Sequence, residues 1–425
     1  MQKKMMLGNG VEGLFIKNTR FNTTLVSFNF YLPLTRENYA ENSLLPYVLT
    51  SCSEEYGTFR ELNTALGNLY GASVSAGSAK LMNYQRINIS ISVLNDRYSL
   101  DGDSVVSRAA SLLASLIFAP SIENGAFKEQ DIERERRQML DRIYGEINDK
   151  RGYARAKALE LLFGDDPYGI PRFGTESDMK NVTKTSLFEA WSNMLKKAYV
   201  RINVIGESEE TADAVFSAAA AGFSSITRED VTSFNGFNIP VFAEKTEQTE
   251  RMDITQGKLV MAFTTGVVDC EKNTAALTVM ADIFGGGPYS KLFMNVREKL
   301  SLCYYCACGI VKNKGFMLVD SGLEEQNADK AKNEILRQLE CMQNGEITDS
   351  EIEASIRSIC DSAKSVYDSE EGINAWYSAR VFDDSVSSPE EFAELIKRVT
   401  KEDVCHAARG LSLNTVYMLM PQEEK

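Results

Sequence analysis

Histidine is almost missing from this chain: His406 is the only one in 425 residues. One imidazole cannot make a histidine-rich metal site, and His406, inside the helical stretch EDVCHAARG, reads as a solvated or packed side chain. Positive charge is also short. Against 60 Asp and Glu stand 46 Lys and Arg, a net charge of −14, which argues against nucleic acid and against an anionic membrane as partners. No apolar run approaches the roughly 18 residues needed to cross a bilayer. The opening MQKKMMLGNGVEGLF has two lysines, but Gly8, Asn9 and Gly10 interrupt any apolar stretch behind them. A cytoplasmic protein is expected.

Two further absences narrow the chemistry. The triple glycine Gly285–Gly287 belongs to no G-x-x-x-x-G-K-[ST] or G-x-G-x-x-G pattern, so a nucleotide loop is not indicated. It reads instead as a tight, flexible entry into the next helix. The 8 cysteines are irregularly spaced and suggest reduced thiols, with no disulfide frame. Cys303-x-x-Cys306-x-Cys308 lacks the second pair that a zinc ribbon needs, and in a strand-like run these cysteines read as small apolar filler.

What is present is a globular composition, 44% hydrophobic and 25% charged, at a length that predicts two domains of roughly 200 residues. The chain also repeats itself. LVSFNF (25–30) leads through ENSLLPYVLTS to ELNTALGNLYGASVSAG; LVMAF (259–263) leads through EKNTAALTVMADIFGGG to SKLFMNVREKLSLCYYCACG. Ile132 is followed 31 residues later by Phe163-Gly164-Asp165-Asp166, and Ile352 is followed 30 residues later by Phe382-Asp383-Asp384. Thr183 and Thr400 each stand as an N-cap before a helix, and each half closes on a strand, VRINVIG and NTVYMLM.

Within a half, INISISV (87–93) alternates like a strand covered on one face, Ser104–Phe118 has helical spacing, and 127–163 is helical with breaks at Gly145 and Gly152. An α+β fold follows, in two homologous halves, each a largely antiparallel sheet with helices on one face. The boundaries predicted are 1–243 and 254–425, with polar EKTEQTERMD (244–253) as linker. Arg297 and Tyr304 sit seven residues apart at a helix-to-strand corner in NVREKLSLCYYC. Taken alone they are either a surface arginine with a core tyrosine or a pair that holds something. Tyr305 points to the other strand face and reads as packing.

GGGPYSKLFMNVREKLSLCYY resembles the second-half signature of the insulinase/pitrilysin peptidases, the clan of the mitochondrial processing peptidases. ERERRQMLDRI (133–143), LLFGDDPYGIPRFGT (161–175) and VRINVIG resemble its first half. The likeness spans nearly the whole chain and is strongest to YmfF-like bacterial members. It implies the two-half metallohydrolase fold. Active members carry H-x-x-E-H on an early helix, two histidines for zinc and a glutamate as base, and take a third ligand from a long helix. The matching early helix here, 41–51, has no histidine. If Glu135 matches the family's upstream helix glutamate, the ligand position seven residues on is Arg142, which has no lone pair for a metal. The resemblance thus implies a degenerate zinc site, with Arg142 free to bond a carboxylate in the metal's place.

The second half keeps its match. Arg297 and Tyr304 correspond to the Arg and Tyr with which the family's C-terminal half reaches a peptide substrate, the first toward a carbonyl and the second toward a developing oxyanion. In two-gene bacterial members one subunit carries the zinc motif and the other this pair; the chain resembles the second kind. The expectation is a non-catalytic, substrate-binding and chamber-forming subunit of a heterodimeric zinc endopeptidase for short or unfolded peptides. It needs no cofactor of its own, is inactive alone, and finds zinc in a homologous H-x-x-E-H partner. A homodimer is possible in isolation. The alternative is a catalytically dead scaffold or peptide-binding protein that self-associates.

Overall fold

The computed structural model describes residues 2–100, 102–231, 241–266, 271–382 and 388–422, the side chains of 271–273 apart. A first sheet contains β1 (Gln2–Gly8), β2 (Val11–Lys17), β3 (Thr23–Pro33), β4 (Ser73–Leu81) and β5 (Tyr84–Leu94). After a small hairpin, β6 (Ile122–Glu123) and β7 (Ala126–Phe127), it is completed by β8 (Tyr199–Gly206), in the order β1-β2-β8-β3-β5-β4. A second sheet contains β9 (Thr246–Met252), β10 (Gly257–Thr264), β11 (Tyr305–Val311), β12 (Phe316–Leu323) and β13 (Ser412–Pro421), in the order β11-β12-β10-β13-β9.

Followed from its other edge, the second sheet repeats five of the first sheet's six strands: β9-β13-β10-β12-β11 matches β2-β8-β3-β5-β4, with β1 added outside. The senses match too. The β2–β8 and β9–β13 pairs are parallel, and every other matched pair is antiparallel. The duplicated α+β fold read from the sequence is the fold of the chain. Thr246–Met252, inside the stretch read as a linker, is instead strand β9. It is polar because it is an edge strand, where charged side chains keep unpaired backbone from templating aggregation. Its Glu250 is held by the Tyr153 and Tyr417 hydroxyls, at 3.0 and 2.6 Å.

The helices are α1 (Tyr39–Leu49), α2 (Phe59–Asn68), α3 (Val105–Phe118), α4 (Glu129–Glu146), α5 (Lys150–Phe163), α6 (Glu176–Asn181), α7 (Lys184–Lys197) and α8 (Glu209–Ser224) in the first half. The second half has α9 (Glu271–Gly285), α10 (Ala328–Gln343), α11 (Asp349–Ser365), α12 (Glu370–Ala379), α13 (Pro389–Ile396) and α14 (Lys401–Arg409). Thr183 and Thr400 cap α7 and α14, accepting from the amides of Ser186 and Asp403. The break between α4 and α5 falls at 147–149, not at Gly145 or Gly152. Gly152 lies in the first turn of α5, where its amide donates to the capping Asp149 at 3.0 Å. Asp383 and Asp384 lie outside the described residues. Among the described residues no helix is long and apolar enough to cross a membrane.

Chain order and packing part company in one respect. The first compact unit is Met1–Tyr144, Arg172–Phe234 and Tyr367–Phe382; the second is Gly145–Pro171, Asn235–Val366 and Asp383–Lys425. Each unit therefore includes one helix from the other half of the sequence. In the first, Val26, Phe28, Phe30 and Leu32, alternating along β3, join Leu44, Leu113, Leu116 and Leu187 of the covering helices in one core. The opposite face is polar and receives α12. There the Tyr31 hydroxyl donates to the Ser378 carbonyl at 2.8 Å, Asn203 donates to Asn374 at 2.8 Å, and buried Arg201 pairs with Glu12 and donates to the Tyr377 carbonyl. In the second unit, Ala154, Ala158, Leu162 and Phe163 of α5 cover Val260, Ala262, Leu318, Tyr417 and Leu419. Leu259, Met261 and Phe263 point the other way and are as fully buried, so β10 is covered on both faces.

Candidate functional site

Two clefts merit description, one in each unit. In the first unit, α4 turns two of its residues toward α1. Glu135 lines a cleft of about 470 Å³ with Tyr47, Thr50, Ser51, Asn63 and Gln138. Arg142, two turns further along α4, lays its guanidinium over the Tyr47 ring at 4.5 Å. The carboxylate partner foreseen for Arg142 is thus replaced by a cation–π contact. Glu135 is itself neutralised by Arg134, whose Nε donates to it at 2.9 Å. One carboxylate, hydroxyls and amides beside a fixed positive charge are not a zinc set, which calls for imidazole, thiolate or several carboxylates in tetrahedral array. The residues present do not fit the metal that the resemblance implies. Among the described residues no three His, Cys, Asp or Glu side chains gather into a possible metal centre.

The second cleft is built at the corner between α9 and β11. A Cβ on Gly285 would stand 2.7 Å from the Cys308 amide nitrogen, so glycine there lets α9 end directly against β11. Close approach, more than loop flexibility, explains this glycine. The chain then forms a wide π-helix, Leu292–Lys299, anchored by buried Leu292 and Val296. Such turns recur at functional sites, and Arg297 lies on this one. Ser301 adopts φ +51°, a left-handed conformation uncommon outside glycine, and swings the chain into β11.

Arg297 and Tyr304 meet in this cleft, a space of about 400 Å³ also lined by Glu298, Ser301, Leu302, Cys303, Glu324 and Asn327. The Arg297 side chain is 41% exposed, its guanidinium 4.6 Å over the Phe293 ring and its Nε 3.6 Å from Glu298. Tyr304 is 51% exposed, which rules out a core tyrosine. Its hydroxyl donates to Glu324 at 3.1 Å while its amide donates to the Gly322 carbonyl at 2.8 Å. The bond to Glu324 holds the phenol above its ordinary pKa, so Tyr304 remains a neutral donor at neutral pH. Tyr305 turns away and packs, with Arg151 4.5 Å and Lys258 5.8 Å from its ring centre. Burial pushes its hydroxyl up to about 12.

An acyl oxygen entering the cleft would meet a guanidinium held flat by Phe293 and, on displacing Glu324, a phenolic proton. Phe293 and Glu324 were not singled out in the sequence. Phe293 stands four residues before Arg297 and could have been found from helical spacing. Glu324 follows β12 and meets Tyr304 only through sheet register. The filler reading suits Cys306, which is 5% exposed, and Cys308, whose thiol donates to the Ala281 carbonyl at 2.9 Å. It does not suit Cys303, which lines the cleft. His406 is exposed on α14.

Known proteins resemble this chain along its length. The family profile described as "Peptidase M16 inactive domain" matches residues 181–359. "Probable inactive metalloprotease YmfF" of Bacillus subtilis (strain 168) is 29% identical over 414 residues, 97% of this chain and 96% of that protein. A conserved protein from Enterococcus faecalis V583 has a crystal structure that superposes with a TM-score of 0.90 at 29% identity, covering 100% of this chain and 99% of that one. A peptidase M16 inactive domain from Pseudomonas fluorescens superposes at 0.80 with 17% identity, covering 100% and 99%, a likeness of fold alone.

Proposed function

Because the chain belongs to the peptidase M16 family as an inactive-type homologue, we propose that it is the non-catalytic subunit of a heterodimeric zinc endopeptidase of the cytoplasm. The observation that carries this reading is the convergence of Arg297 and Tyr304 on one open cleft, in a chain where Arg142 stacks on Tyr47, a lining residue of the other cleft. A homologous H-x-x-E-H partner supplies zinc, the general base and an edge strand on which a peptide lies extended. This subunit supplies part of the chamber wall and two donors, Arg297 to a main-chain carbonyl and Tyr304 to the oxyanion that forms at the partner's metal. Enclosure selects short or unfolded peptides.

The test is purification from the native cell through a tag on this chain, followed by zinc-dependent turnover of a quenched-fluorescent unfolded peptide. An H-x-x-E-H subunit is expected to co-purify. Arg297→Lys and Tyr304→Phe are each expected to lower turnover about 100-fold, the usual effect of losing one transition-state donor, with the complex intact by gel filtration. Full turnover in both variants, or no such partner, overturns the proposal and favours the self-associating scaffold. Zinc-dependent hydrolysis by the homogeneous isolated chain overturns it as well.

A further inference from the structure

The π-helix that carries Arg297 is tied down by polar side chains outside the cleft. Asp282 stands half-buried in the last turn of α9, and its Oδ1 accepts two hydroxyls. Tyr289 Oη donates to it at 2.6 Å, and so does Ser355 Oγ, fully buried on α11, at 2.6 Å. The first bond closes the Gly285–Gly287 turn on itself, from the end of α9 to Tyr289 just ahead of the π-helix. The glycines fit this closure. A Cβ on Gly286 would stand 2.7 Å from the Asp282 Cα, and one on Gly287 2.8 Å from the Tyr289 ring, so either would push the two residues apart.

The second bond fastens the turn to α11. One helical turn earlier on the same face of α11, Glu351 pairs at 2.9 Å with buried Lys291, where the π-helix starts. Within the π-helix, Asn295 donates to buried Gln338 of α10 at 3.1 Å. The contacts of Arg297 described above are to Phe293 and Glu298 of its own helix. Where the guanidinium stands therefore follows from where that helix is held. Neither Tyr289 nor Asp282 is among the residues lining the cleft.

On the reading of Arg297 as a substrate donor, we propose that Tyr289 is a positioning residue. Its bond to Asp282, braced by Ser355, fixes the turn from which the Arg297 helix starts and so holds the guanidinium where a peptide carbonyl can reach it. The protonation states suit this clamp. Burial and the bond to Asp282 push the Tyr289 hydroxyl up to about 12, so it stays a donor at neutral pH. Burial also raises Asp282, and the two hydroxyls work against that shift by favouring the carboxylate. A displacement of about 1 Å can cost up to about 100-fold in rate, so a small slackening of the turn is enough to be felt.

The test is Tyr289→Phe, read in two ways. In the isolated full chain, amide hydrogen exchange over 292–299 is expected to be about 10-fold faster, the scale of losing a hydrogen bond to a charged acceptor, with α10 and α11 at wild-type rates. In the complex turning over the quenched-fluorescent peptide, kcat/KM is expected to fall about 10-fold, part of the roughly 100-fold expected for Arg297→Lys. Added to Arg297→Lys, Tyr289→Phe is expected to cost nothing further, whereas a general loss of folded protein would lower both backgrounds alike. Unchanged exchange, or equal losses in the two backgrounds, overturns the positioning role. Full turnover in Arg297→Lys alone overturns the peptidase reading instead, and faster exchange then still supports the clamp.

Discussion

Glu370 shows what a single buried carboxyl can do to this fold. It opens α12 in the first unit at 5% exposure. One oxygen accepts from the Thr23 and Ser92 hydroxyls at 2.8 and 3.5 Å, and the other has no partner among the described residues. Burial raises its pKa from 4.5 to about 6. A carboxyl raised on folding favours the folded state below its unfolded pKa and loses that contribution as pH climbs through the folded one. Stability from this group is thus full below pH 4.5 and gone above pH 6. Glu370→Gln is expected to be more stable than wild type at pH 7 by up to about 2 kcal/mol, with the gap closing toward pH 4.5. Urea unfolding at the two pH values reads it; an equal gap at both would refute the assignment. Nothing in the sequence marks Glu370, because its partners are 278 and 347 residues away. Arg297 and Tyr304 could be singled out because their spacing and flanking residues are local. Arg142 was legible as a non-ligand, but its stack on Tyr47 depends on how α4 packs against α1.

At the scale of elements, local signals read well and pairing signals did not. The caps at Thr183 and Thr400 are chemistry between a side chain and an amide three residues on, visible in any sequence. Strand β9 was missed because its glutamates and lack of alternating apolar residues look like solvent-exposed coil. Only its parallel pairing with β13 makes it a strand. The triple glycine was seen but its purpose was not, since the Cys308 backbone reaches Gly285 only after the chain has folded back. Gly285→Ala tests that purpose. On helix propensity alone alanine would stabilise the helix by about 1 kcal/mol. The new Cβ, 2.7 Å from the Cys308 nitrogen, forces β11 off α9 at a cost of about 1–3 kcal/mol. A net loss is expected in urea unfolding. Gly309→Ala, where a Cβ meets nothing within 4 Å, serves as the control and should be near neutral. Equal effects at both positions would remove close approach as the reason for Gly285.

For the whole molecule, the duplication was readable from the order of motifs, and the shared order and sense of five strands in each sheet bear it out. The placement of α5 and α12 was not readable. An apolar stripe such as Ala154, Ala158 and Leu162 specifies a helix that must be covered, but not which of two similar sheets will cover it. That placement has a consequence for any attempt to separate the halves. A fragment of 1–243 lacks α12, leaving Tyr31, Arg201 and Asn203 without the carbonyl and amide groups they bond, and it retains α5 with its apolar stripe bare. A fragment of 254–425 lacks β9 and α5, uncovering Val260, Ala262, Leu318, Tyr417 and Leu419 together. Contiguous apolar patches of that kind drive association. Each fragment expressed alone is therefore expected to be insoluble or to lack cooperative thermal unfolding. Co-expression of 1–243 with 244–425 is expected to restore a soluble complex, because every helix then finds its sheet. Independent, cooperative folding of either fragment would mean that its sheet does not require the helix supplied by the other half.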